Sequence, residues 1–97
     1  MSRFTPRFHV YLARHRTTVS LDTTLVTLLA LKLNRTPGSP DAHQAIRHWL
    51  QQRLDDLNDP GLYQVSQWLQ SQVVLALVDH RLAKRYDKWL LDESPFG

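Results

Sequence analysis

The stretch Arg16-Thr17-Thr18-Val19-Ser20-Leu21-Asp22 decides how this chain is read. From Thr17 it is β-branched and alternating, which is the pattern of a short strand. One face carries Thr17, Val19 and Leu21, and the other carries Arg16, Thr18 and Ser20. Nearly everything after it has helical spacing. A lone strand leaves rows of N–H and C=O groups without partners. The simplest partner is the same strand from a second copy, paired antiparallel about a two-fold axis. A two-stranded ribbon of that kind fits the DNA major groove.

Working outward, Asp22 reads as the N-cap of a helix over Thr23 to Leu33, in which Leu25, Leu29 and Leu33 recur every fourth position. Lys32 and Arg35 fall at its C-terminal end, where the helix dipole favours cations. The run Thr36-Pro37-Gly38-Ser39-Pro40 stops that helix and opens another, with Ser39 as N-cap and Pro40 at the first helical position. This second helix should extend from Pro40 to about Asp56, burying Ala42, Ile46, Trp49, Leu50 and Leu54. Leu57-Asn58-Asp59-Pro60-Gly61 is a second break. Residues 62–92 contain no Gly or Pro, so one long helix or two abutting ones are expected. Val73 to Val78 is apolar on every side and should be buried all round, with Val65, Leu69, Leu82, Tyr86, Trp89 and Leu90 extending the pattern. Trp49, Trp68 and Trp89 belong by spacing to the core or to a dimer interface. Ser94 to Gly97 reads as a frayed tail.

With 97 residues the chain makes one small domain, marginal as a monomer. It has no cysteine, so disulfides, thiolate metal sites and cysteine nucleophiles are excluded, and oligomerisation is the simplest substitute for the missing staples. The net charge of +3 conceals an asymmetry: residues 1–40 carry +5 and residues 41–97 carry −2. No acid precedes Asp22, whereas Arg3, Arg7, His9, Arg14, His15 and Arg16 all do. Such a basic segment points to nucleic acid or another anionic surface. Within it, Pro6 is followed by the alternation Phe8, Val10, Leu12, compatible with a short strand or an extended arm. No apolar run reaches the length of a membrane span and no signal-peptide core opens the chain, so a cytoplasmic protein is expected. His43 and His48, five apart, do not share a helical face, so no metal or other cofactor is expected. No nucleophile elbow, phosphate-cradling glycine loop or paired-carboxylate signature points to an enzyme.

The order strand, leucine-patterned helix and Pro37-Gly38-Ser39 opening a second helix resembles the ribbon-helix-helix family of DNA-binding proteins over residues 16–54. One departure is Pro37-Gly38-Ser39-Pro40 where that family usually has a Gly-hydrophobic-Ser turn. The resemblance implies a mainly α fold with one short strand, dimerised through an intermolecular antiparallel two-stranded ribbon. It implies base contacts from Arg16, Thr18 and Ser20, and a phosphate held at Ser39 by the start of the second helix. Val19, Leu21, Leu25, Leu29, Ile46, Trp49 and Leu50 would form the dimer core. The chain then divides into a basic arm (1–15), a ribbon-helix-helix core (16–57) and a C-terminal helical extension (60–93). Arg3, Arg7 and Arg14 of the arm are expected to add phosphate contacts.

The function so implied is sequence-specific binding of duplex DNA as a homodimer, in a transcriptional repressor of bacterial or plasmid origin. An antitoxin and a plasmid partition or conjugation accessory protein are alternatives within the same class, the first using residues 60–93 to hold a second protein. An all-helical interaction module without DNA binding is the alternative from another class.

Overall fold

The computed structural model describes residues 6–92, without the side chains of Ala83, Tyr86, Leu90 and Asp92. Arg3 and the expected tail Ser94 to Gly97 therefore lie outside the described residues. The elements are β1 (Arg7–Leu12), β2 (His15–Ser20), α1 (Thr23–Lys32), α2 (Pro40–Leu57), α3 (Val65–Leu77) and α4 (His80–Asp92).

The first difference from expectation lies in the partner of β2. It pairs antiparallel with β1 of its own chain, in the register Arg7↔Ser20, Phe8↔Val19, His9↔Thr18, Val10↔Thr17, Tyr11↔Arg16 and Leu12↔His15. Residues 7–12 of the expected arm are therefore a strand, and a lone chain already contains a two-stranded ribbon. The premise that β2 needs a second copy to satisfy its backbone falls on one side of the strand. Two residues, Ala13 and Arg14, close the hairpin with φ of +50° and +71°. Positive φ at both central positions defines the tight turn whose twist matches that of the flanking strands. Neither residue is the Asn or Gly that announces such a turn, which is why it is hard to read from composition.

The strands alternate as pleated strands must. Phe8, Val10 and Val19 point inward and are fully buried, and Leu21, just past β2, joins them. The Leu21 amide donates to Pro6 O at 3.2 Å, extending the ladder by one pair. Against this apolar face pack Leu29 and Ala30 of α1, Ala42, Ile46, Leu50 and Leu54 of α2, and Leu69 and Val73 of α3. Leu25 and Trp49 pack at the margin of the same cluster. Of the residues expected in the dimer core, Val19, Leu21, Leu29, Ile46 and Leu50 are thus buried within a single chain.

The helix boundaries follow their capping chemistry. The Asp22 carboxylate accepts from the Thr24 amide at 2.9 Å and starts α1. Ser39 starts α2, its hydroxyl accepting from the Ala42 amide at 3.0 Å with Pro40 at the first helical position. Asn58, left-handed at φ +52°, ends α2 by donating to Leu54 O at 3.1 Å. The long C-terminal stretch is two helices. Val78 turns extended, and the Asp79 carboxylate accepts from the Arg81 amide at 2.7 Å, capping a new start.

One burial expectation fails and another narrows. Of Val73 to Val78 only Val73 is fully buried, and Val74 is exposed, because α3 meets the rest of the fold along one stripe instead of being surrounded. Trp89 is 56% exposed in the single chain, so of the two places expected for it, core or dimer interface, the core of one chain is excluded. No helix among the described residues is long and apolar enough to cross a membrane.

Two outcomes follow. Replacing Ala13-Arg14 by Asn-Gly should raise the unfolding free energy by about 1 kcal/mol, since both φ values become intrinsically favourable. Leu50→Ala should lower it by about 2–5 kcal/mol through loss of buried surface and an unfilled cavity. Urea unfolding followed by circular dichroism reads both.

Candidate nucleic-acid interface

The inward set of hairpin side chains determines the outward set. In the observed register the outer face presents three cross-strand pairs: Arg7 with Ser20, His9 with Thr18, and Tyr11 with Arg16. All six residues are exposed. The His9–Thr18 pair is joined by a side-chain hydrogen bond, Thr18 Oγ1 to His9 Nδ1 at 3.2 Å. The face carries two guanidiniums, an imidazole, a phenol and two hydroxyls, and no carboxylate. Arg14 and His15 add cationic capacity at the tip, where both are exposed.

Arg16, Thr18 and Ser20 therefore share one exposed face, and Arg7 stands on the same face across from Ser20. Arg14 lies at the turn. The rows advance by two residues, so the first and last are separated by about 14 Å along the strands. That distance corresponds to about four base-pair steps of B-DNA.

The two edges of the hairpin differ. In an antiparallel pair, alternate residues turn their N–H and C=O groups away from the partner strand. On β1 these are Arg7, His9 and Tyr11. The side chain of Gln51 on α2 meets Tyr11 as a second strand would: Tyr11 N–H donates to Oε1 at 2.8 Å and Nε2–H donates to Tyr11 O at 2.9 Å. The His43 Nε2 lies 3.1 Å from Arg7 O, and the His43 ring stacks on buried Phe8 with centroids 4.5 Å apart. The β1 edge is thereby held by α2 at Arg7 and Tyr11, while the outward backbone groups of His9 between them make no hydrogen bond among the described residues. On β2 the outward groups belong to Arg16, Thr18 and Ser20. Only Ser20 O has a partner, Ser66 Oγ at 3.4 Å. The outward backbone groups of Arg16 and Thr18 make no hydrogen bond among the described residues.

Ser39 stands elsewhere, at the start of α2. Its hydroxyl donates to Thr36 O at 2.7 Å while accepting from Ala42, and its own amide donates to Thr36 O at 3.1 Å. Pro40 has no N–H, and the His43 amide donates to Ser39 O. The local role of Ser39 is to cap the helix. Asp41 occupies the same first turn, paired with Arg35 at 3.0 Å, and its carboxylate would oppose a phosphate there. Both partners are well exposed, so this pair contributes little to stability.

Among the described residues no three His, Cys, Asp or Glu side chains converge on a common point. Sequence reasoning missed Gln51, His43 and the β1 half of the outer face. The alternation Phe8, Val10, Leu12 contained the signal for the strand. The signal for Gln51 was weaker: an amide one residue after core Leu50, placed where it reaches past the apolar stripe.

Gln51→Ala should open the β1 edge. Stability should fall by about 1–2 kcal/mol, the net contribution of two partly solvated hydrogen bonds, and the Tyr11 amide should exchange with deuterium markedly faster. No family model matches the sequence, no curated protein matches it, and no solved structure matches the fold.

Proposed function

We propose that this chain binds duplex DNA in a sequence-specific manner, as a homodimer acting as a transcriptional repressor, with the hairpin as the reading element. The observation carrying this reading is the outer hairpin face: six exposed, hydrogen-bonding or cationic side chains without a carboxylate, on a ribbon of groove-fitting width. Arg16 offers the fork that matches O6 and N7 of guanine, and Thr18 and Ser20 are short groups able to donate or accept at base edges. Arg7 and Arg14 supply the phosphate contacts that hold register and make binding salt-dependent.

The open edge of β2 suggests how the second copy joins. Antiparallel pairing about a two-fold at Thr17 sets Arg16 opposite Thr18 of the other copy, so the backbone groups left unpaired in one chain satisfy each other. It leaves Ser20, whose carbonyl is held by Ser66, beside the other chain's turn and outside the ladder. The result is a four-stranded sheet with the two β2 strands at its centre. Three strand spacings make it about 14 Å wide, against a major groove of about 12 Å. The central pair then enters the groove, and the β1 strands with Arg7 lie along its phosphate walls.

Selection of bound duplexes from a random pool tests the reading directly. Recovery of a two-fold symmetric site supports it, and recovery of no enriched sequence at low salt ends it. Arg16→Ala should relax preference at one base position of each half-site, by about 1–3 kcal/mol of discrimination. Arg7→Ala and Arg14→Ala should weaken binding to all duplexes alike and flatten the salt dependence. Thr18→Pro removes an N–H that the hairpin does not use, so it should leave the fold intact while removing the protection from deuterium exchange that pairing of the two β2 edges gives the Arg16 amide.

A further inference from the structure

Two features are absorbed neither by the core nor by the hairpin face. One is α4. No other element packs extensively against it among the described residues, and Leu82 is 53% exposed. Its sequence holds Arg81, Lys84, Arg85 and Lys88 against Asp87 and Asp92, a cationic excess on a chain half that is otherwise acidic. The other is a groove at the hairpin tip, of about 240 Å³, lined by Tyr11, Leu12, Leu54, Asp55, Asn58 and Asp59 among others. Its lining combines apolar Leu12 and Leu54 with the carboxylates of Asp55 and Asp59. Asp55 Oδ1 accepts from Gln51 Nε2 and Asp59 Oδ1 from the Gly61 amide, but neither carboxylate forms an ion pair among the described residues. The groove is smaller than the 300–1,000 Å³ typical of small-molecule sites, and it has room for a large side chain.

We infer that α4 docks in this groove of a second copy of the chain. The charges decide the occupant. Pairing α4 with α4 of another copy sets cation against cation and is disfavoured. The groove offers the opposite sign through Asp55 and Asp59. Arg81 and Arg85 are one helical turn apart and flank Leu82, and Asp55 and Asp59 both line the groove. Leu82 enters the pocket, and the two guanidiniums meet the two carboxylates at its rim. Exchange between two copies is reciprocal, so the assembly closes at two chains with both helices covered. Like-charge avoidance together with opposite-charge steering gives such a contact its specificity. This inference does not rest on the DNA reading; it adds a contact between the two copies that is distinct from the β2 edge.

The absence of cysteine from the chain makes the test direct. Pro60→Cys, at the groove, and Leu82→Cys, on α4, are prepared separately and mixed under mild oxidation without DNA. A disulfide forms only where the two Cα atoms approach within about 7 Å. The expected result is a covalent dimer containing one copy of each variant, far more abundant in the mixture than in either variant alone. Adding Arg81→Glu and Arg85→Glu to the Leu82→Cys chain should reduce it at least tenfold. Adding Asp55→Lys and Asp59→Lys to the Pro60→Cys chain should then restore it. Three outcomes overturn the inference: no cross-link in the mixture, a Leu82→Cys chain that cross-links chiefly to itself, or a double-cysteine chain that forms only an intrachain disulfide. Far-ultraviolet circular dichroism of each variant establishes that the fold is retained.

Discussion

The structure depends on one contact, the inner face of the hairpin pressed onto α2 on the β1 side and α3 on the β2 side. A two-stranded ribbon is marginal by itself in water and needs a surface to bury one face. Phe8, Val10, Val19 and Leu21 supply that face, and the Ala42, Ile46, Leu50 and Leu54 stripe of α2 receives it together with Leu69 and Val73 of α3, α2 lying against β1 and α3 against β2. Because side chains alternate along a strand, burying these residues also fixes which six point outward. The candidate interface is therefore a by-product of core formation: a one-residue slip would bury Arg16 and expose Val19. His43 and Gln51 reinforce the register by meeting the β1 backbone at Arg7 and Tyr11.

Much of this was legible in the sequence, and the limits have physical causes. The helices announced themselves through caps, since Asp22 and Ser39 are side chains suited to accepting free amide hydrogens. The outward set Arg16, Thr18 and Ser20 followed from period two alone. The identity of the β2 partner did not, because alternation in Phe8, Val10 and Leu12 defines a strand without saying what it pairs with, and the Ala13-Arg14 turn lacks the residues that favour positive φ. Residues 62–92 left one long helix and two abutting ones equally open, because no Gly or Pro marks a break, and the Asp79 carboxylate at the start of α4 decides for two. The apolar run Val73 to Val78 misled on burial: composition shows how apolar a helix is, whereas the number of neighbours available to cover it is a property of the whole fold. The role of Ser39 shows the same limit, since a residue suited to binding phosphate at a helix start is equally suited to capping the helix.

Charge is distributed in keeping with these layers. The cations of the hairpin lie on the side turned away from α2, and Asp55, Asp56 and Asp59 cluster at the far end of that helix. The carboxylates of Asp55 and Asp59 nevertheless share a groove with Tyr11, Leu12 and Ala13, so the acidic end of α2 abuts the tip of the hairpin.

The hairpin, joined by two residues, has a kinetic consequence. Hairpins of this kind form in about 1–10 μs because little chain must be closed. A ribbon assembled from two chains exists only above the concentration at which they meet, so its recognition surface appears and vanishes with protein level. Here the outer face is complete in a solitary chain. Dilution can separate copies without erasing the surface each one carries, and a newly made molecule holds that surface as soon as it has folded.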